Sequence, residues 1–484
     1  MKKTILILLC ASLLASCTAC NDNNGSPAAQ TTVTGYVNKE TITSISDEKD
    51  IDEKEESDPG LVTSEVSCSQ ITIRQTVLAD QDNIKITADG LIYDEDGAKV
   101  MLTLENNRDE DLSFYCGGTN SVNGYMIDDA NMSLIVNAGE SLQGSVCFDY
   151  RELAGFGITD IADFELQFEI CSAVRTSCPT PLDTKQIDPI WPEPVNIKTS
   201  VYDSYDYSID TYLEQLKTGH YSDYYFKSVD YLSEDEVYSK GDIRVISEAL
   251  TTDEYGEKTV MLEVENNSDH MIDSSAQNIR INGLILTGSN GLNNFVCPGK
   301  RAVLYIPVSY AICDDAREPF GIKEIQKIDM TFTAAEAEND ECIDNGPISI
   351  AFSETVLPFD STGDQVYNSN GVRIISKGVI DDPICYYKFD LLLLVENNST
   401  HTISFDNYSS SIFVNGYEAT SDTSFIKTPP GASSAVAVSI SKEQFKKDDF
   451  ELESLSDIKN ITLSTVITNE DMSSEEKCEI SIDF

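Results

Sequence analysis

Leu102-Thr103-Leu104-Glu105-Asn106-Asn107 is followed about one strand later by Val122-Asn123-Gly124, and the same two signals occur twice more. They return as Leu262-Glu263-Val264-Glu265-Asn266-Asn267 with Ile281-Asn282-Gly283, and as Leu393-Leu394-Val395-Glu396-Asn397-Asn398 with Val414-Asn415-Gly416. From the Glu before Asn-Asn to the Asn of Asn-Gly the separations are 18, 17 and 19 residues, so the chain holds three copies of one unit.

The copies align well beyond this pair of motifs. Each is expected to open with one strand, Val77 to Ile86, Val237 to Val245 and Val366 to Ile374. The next strand alternates, with Val100, Leu102 and Leu104 matched by Val260, Leu262 and Val264 and by Leu391, Leu393 and Val395; period two places them on one buried sheet face. After Asn-Gly, Gly139, Gly299 and Gly431 each lead into a further strand. The period then becomes three, at Ile158, Ile161 and Phe164, at Ile322, Ile325 and Ile328, and at Leu455, Ile458 and Ile461. That spacing predicts a short helical turn on the sheet edge. A last strand closes each unit, at 194–197, 347–350 and 479–482. Seven or eight short strands in about 120 to 135 residues, punctuated by turns, predict an all-β chain of three tandem immunoglobulin-like β-sandwich domains.

The run of an aliphatic strand, Glu-Asn-Asn-Ser, aliphatic-Asn-Gly, a Gly-led strand and a Gly-Ile-x-x-Ile turn resembles the uncharacterised immunoglobulin-like repeat domains of Gram-positive (Firmicute) surface lipoproteins. The resemblance covers nearly all of residues 66 to 484 and implies extracellular β-sandwich modules, with no activity and no known site. The first copy departs from it at Arg108, where the others have Ser268 and Ser399.

The start of the chain points the same way. Lys2 and Lys3 precede an apolar run from Ile5 to Leu14, too short for a permanent bilayer span and of the length of a secretory signal. The run ends in Leu14-Ala15-Ser16-Cys17, which looks like the lipobox of bacterial lipoproteins. Residues 1–16 are therefore expected to be a signal peptide, and Cys17 to carry the lipid that holds the protein on the outer face of the cell membrane. Residues 17–65 lack apolar periodicity, include the charged run from Asp47 to Glu56, and are expected to form a disordered acidic tether of about 40 Å reach.

The 484 residues suffice for three domains. A net charge of −50, or −52 once Lys2 and Lys3 are removed with the signal, argues against nucleic acid as a partner, because phosphate binding requires clustered Lys and Arg. No motif of nucleophilic, metal-dependent or phosphate-loop chemistry appears, so neither catalytic residues nor a cofactor nor a metal site is expected. His270 and His401 fall at the same turn position as Glu110, which fits a solvated turn better than a general base. The Glu-Asn-Asn motif is open to two readings, a strand end followed by a turn whose Asn residues tolerate left-handed geometry, or a repeated oxygen-rich site for Ca²⁺ or sugar hydroxyls.

Two further features concern single regions. The third copy contains only Cys385 and Cys478, a candidate disulfide that export would permit. Residues 201–236, between the copies at 66–200 and 237–356, hold eight of the 22 tyrosines. Helical spacing of Ile209, Tyr212, Leu213 and Leu216 suggests a short helix wedging the first two copies together. Alternatively, Tyr221, Tyr224 and Tyr225 form a ligand surface, since Tyr gives large contact area at low entropy cost. The linker 357–365 before the third copy, 366–484, is short. The expected role is binding or adhesion to a host, cell-wall or surface protein or glycan. The alternative is a structural spacer or accessory subunit of a membrane or cell-surface complex.

Overall fold

The computed structural model describes residues 71–94, 96–128, 130–173, 189–218, 226–253, 256, 258–285, 294–308, 317–337, 341–382, 387–423, 427–442, 445, 452, 454–469 and 475–484. The signal and tether, and with them Cys17, lie outside the described residues, as do Tyr221, Tyr224, Tyr225 and Cys385. Val66–Phe484 forms one compact unit.

The fold is all-β, with several open sheets packed face to face. In the first copy a front sheet runs in the order Thr76–Gln81, Ile84–Tyr93, Gly97–Asn106, Ser141–Asp149. The founding strands behave as their alternation requires. Val100, Leu102 and Leu104 are buried in a first core with Phe114, Phe148 and Phe164; Val260, Leu262 and Val264 enter a second core; and Leu391, Leu393 and Val395 enter a third.

Two expectations need correction. The opening segment of each copy is a hairpin of two strands, not one strand. Thr76–Gln81 pairs with Ile84–Tyr93, Tyr238–Lys240 with Ile243–Thr252, and Asp364–Ser369 with Val372–Asp381. Turns at Asp82-Asn83, Gly241 and Asn370-Gly371, all with positive φ, reverse the chain in the middle of the expected strand. The period-three stretch is likewise not a helical turn in the first two copies. The helical residues there are Tyr150–Gly155 and Glu318–Phe320, before the stretch, and only in the third does Leu455–Asp457 overlap it. Ile158 and Ile161 reach the core from an irregular segment, and Phe164 from the strand Asp163–Leu166.

Sequence repetition hides how the copies are joined. The hairpin Asn120–Val122 with Tyr125–Ile127 belongs to the back of the first copy, yet Tyr125–Ile127 lies parallel to Lys300–Pro307 of the second. The resulting nine-stranded sheet runs from Val195–Lys198 in the first copy to Ser228–Ser233 beside the second. The junction repeats. Leu284–Ile285, following the second Asn-Gly, lies parallel to Ser433–Ser441 and closes a ten-stranded sheet through the third copy. The back sheets of the first two copies thus continue as the front sheets of the second and third.

The junctions bury the outer sheet face as well. Met261, Ala249 and Val303 of the second copy pack in the first core, and Ile375, Leu392, Leu394 and Ala435 of the third pack in the second. The unbroken apolar run Leu391 to Val395 reflects this two-sided burial.

Candidate functional site

The recurrent polar residues are committed to the fold. The Asn106 side-chain amide donates to the carbonyls of Glu110 (2.8 Å) and Val136 (3.0 Å), while its Oδ1 accepts from the Arg108 N–H (3.0 Å). Asn266 and Asn397 repeat this pattern, donating to the carbonyls of His270 and Val296 and of His401 and Thr428. The backbone carbonyl of the Glu110/His270/His401 position is what the turn uses, so that side chain is free to vary. Ser268 and Ser399 add a hydroxyl bond to the same Asn oxygen (2.6 Å each), whereas Arg108 keeps only the backbone bond.

The expected left-handed geometry at Glu-Asn-Asn is corrected by these contacts: neither Asn of any copy has positive φ, and the first works through its side chain. The Asn of Asn-Gly does adopt positive φ, at Asn123, Asn282 and Asn415. Its amide then clips the distant turn, donating to the carbonyls of Asp160, Glu324 and Asp457 at 2.8 to 2.9 Å. The glutamates are paired too: Glu105 with Lys85 (3.4 Å), Glu265 with Arg244 (2.7 Å) and Glu396 with Arg373 (2.9 Å), across the same pair of strands in each copy. A motif whose glutamate and first asparagine have structural partners in every copy offers little to Ca²⁺ or a sugar.

A cluster of interacting polar and aromatic groups lies at the first junction. The inserted helix, Thr211–Thr218, buries Tyr212 and Leu216 in the first core and leaves Ile209, which precedes it, exposed. Tyr212 stacks at 6.0 Å on Phe156, which in turn lies 5.3 Å from Tyr125. Just before the helix, Asp210 accepts from the Tyr125 hydroxyl (3.1 Å) and from Arg301 of the second copy (2.8 Å). Arg301 also reaches Glu263 (3.3 Å) and Glu265 (3.1 Å). Glu263 is fully buried, and burial together with the nearby Asp210 pushes its carboxyl up to about 8 despite Arg301. The described part of the insertion therefore acts as a wedge. Of the other tyrosines, Tyr202, Tyr205 and Tyr207 form a cluster with ring separations of 4.8 to 5.9 Å, and the Lys198 ammonium sits 3.8 Å above the Tyr202 ring.

Beside this wedge lies a cleft of about 370 Å³. Its apolar wall is Met126, Phe156, Phe226 and Tyr305, and three carboxylates, Asp128, Glu152 and Asp253, line it with no basic side chain among the described lining residues. Glu152, on the short helix Tyr150–Gly155, is buried and accepts from the Asp128 backbone N–H at 2.7 Å, which fixes its orientation. None of these residues stood out in the sequence, because they come from five separate segments and carboxylates are abundant throughout. Phe226 alone lies within the tyrosine-rich stretch 201–236 that did.

Cys478 is buried with a free thiol, and burial pushes that thiol up to about 12.

No family model matches the chain, and no curated protein matches it. Distant likenesses exist among solved structures. A conserved domain protein from Bacillus anthracis is 11% identical, with 54% of this chain and 93% of that one covered and a TM-score of 0.23. A protein of unknown function from Porphyromonas gingivalis W83 is 13% identical, with 47% and 91% covered and a TM-score of 0.14. A structure from a 1.5-MDa bacterial ice-binding adhesin is 8% identical, with 80% and 90% covered and a TM-score of 0.13. Likenesses of this size carry no conclusion about fold or function.

Proposed function

We propose that the protein is a lipid-anchored, surface-displayed, non-catalytic binding protein of three tandem immunoglobulin-like domains, and that it binds in the cleft between the first two. The supporting observation is the chemistry of that cleft. Aromatic and apolar walls with three carboxylates and no basic lining suit an organic cation, such as a Lys or Arg side chain or an amino sugar. A host, cell-wall or surface protein or glycan would present such a group, and the net charge of −50 would draw it in over distance. Lipid on Cys17 would hold the protein on the outer face of the membrane.

The test is binding of soluble residues 66–484 to glycan and peptide arrays, with Phe226→Ala and Asp253→Asn beside the wild type. Each variant is expected to weaken binding by about tenfold, the loss of one good contact. Ligands without a cationic group, or unchanged binding by both variants, would reject the cleft. Incorporation of labelled palmitate, lost in Cys17→Ala, tests the anchor separately.

The alternative role as a spacer draws on a different observation, the sheets that run across both junctions. It is favoured if the arrays give no ligand.

A further inference from the structure

The two internal junctions are the same joint in the same register. Tyr125, the residue after the first Asn-Gly, sits opposite Arg301, two residues after Gly299. Leu284, the residue after the second Asn-Gly, sits opposite Ser433, two residues after Gly431. At the first junction the Arg301 N–H donates to the Gly124 carbonyl at 2.8 Å. Each joint buries both partners: Met126 and Ile285 on the hairpin side, Ala302 (1% exposed) and Ser434 (0%) on the strand side.

Both halves of this joint are present once more, each at a sheet edge with no further strand among the described residues. The third hairpin strand, Tyr417–Ala419, pairs on one side with Ile403–Val414, and no strand lies on its other edge among the described residues. Tyr417 is 38% exposed there, where Leu284 is fully buried. At the other end, among the described residues Ser141–Asp149 pairs only with Gly97–Asn106, and Leu142, at the position of Ala302 and Ser434, is 38% exposed.

We propose that a second copy of this chain fills the vacancy: the third Asn-Gly hairpin of one molecule adds in parallel to the Ser141–Asp149 edge of the next, with Tyr417 opposite Ser141. The Ser141 N–H points away from its own sheet, because the neighbouring Glu140 carbonyl is the group that turns inward, to the Asn106 N–H at 2.9 Å. By the register of the first junction it would donate to the Gly416 carbonyl, and the residue 418 N–H would donate back to the Ser141 carbonyl. Such a contact uses different surfaces on the two molecules, so it propagates head to tail, into an open-ended chain or, where the rotation closes, a ring. One residue tempers it. Glu418 stands where the internal joints have Met126 and Ile285, and a charge on a strand edge is a common protection against uncontrolled pairing. The joint between molecules is therefore weaker than the internal ones and reversible.

The experiment is sedimentation of residues 66–484, the compact unit that carries all three cores, over a range of concentrations. Wild type is expected to grow beyond a dimer as concentration rises. Ser141→Pro and Glu418→Pro each remove one outward N–H and should each be monomeric, whereas their equimolar mixture, with one intact edge from each, should form dimers. Substitutions that leave the backbone donors intact guard against misfolded Pro variants: Leu142→Lys, facing Glu418, should tighten association by about tenfold and Leu142→Glu should abolish it. A wild type that stays monomeric at every concentration overturns the proposal. So does association that survives Ser141→Pro, or a mixture of folded Pro variants that remains monomeric.

Discussion

The asparagine side chains are the most heavily worked residues of this fold. Asn397 donates two hydrogen bonds and accepts two more, and it is nearly fully buried. Asn397→Ala should therefore cost about 2 to 3 kcal/mol in urea unfolding, since it strands buried carbonyls and an N–H without partners. Glu263 gives a pH signature. Its carboxyl is raised to about 8, and that of Glu248 to about 7, burial being the largest cause for both. A carboxyl raised by folding binds more protons in the folded than in the unfolded chain, so stability is present at low pH and is lost as pH rises through the window. The thermal midpoint should fall between about pH 5 and about pH 8, and Glu263→Gln should flatten that slope. Calorimetry across this range checks both. The second junction suggests a repair. Leu394 and Ser433 stand there in place of Glu263 and Arg301. Arg301→Ser alone should cost about 3 kcal/mol at alkaline pH, where Glu263 is ionised, and adding Glu263→Leu should recover most of it.

At the scale of elements, the Gly-Ile turn shows why a small motif recurs in two copies and lapses in the third. Gly157 has a φ of 66°, and a Cβ there would lie 2.3 Å from the Thr211 carbonyl at the start of the inserted helix. Gly321, with a φ of 74°, meets Asp360 of the linker in the same way, and the Asp360 N–H donates to the Phe320 carbonyl at 2.7 Å. The equivalent residue in the third copy is Ser454, whose extended φ of −147° does not call for glycine. Gly157→Ala is expected to destabilise by at least about 2 kcal/mol, from left-handed backbone and backbone clash together, and to loosen the insertion. Faster hydrogen exchange over 211–218 would report it. The founding strands and the Gly-led strands could be placed from period and turn signals alone. The opening hairpins could not, because Asp82-Asn83 and Asn370-Gly371 interrupt runs that otherwise alternate, and alternation continues on either side of a tight turn.

The three copies share sheets and cores, so they should not unfold independently. Residues of the third copy, Ile375, Leu392, Leu394 and Ala435, complete the second core. A chain ending at residue 356 should accordingly melt at a lower temperature than 66–484, with its loss concentrated in the second copy, as nearest-neighbour coupling requires. Scanning calorimetry of the two chains is the check.

The sequence by itself determined the repetition, the buried faces of the founding strands and the turns at Asn-Gly, because these follow from residue spacing and local backbone preference. It left the junctions unread, and with them the candidate cleft. Strand addition between copies is made by backbone groups that every sequence possesses, and Asp128, Glu152, Phe226 and Asp253 meet only after two copies and an insertion have docked. Period-two alternation reports which residues of a strand are buried, but which strand lies at its edge is decided by the packing of the whole molecule.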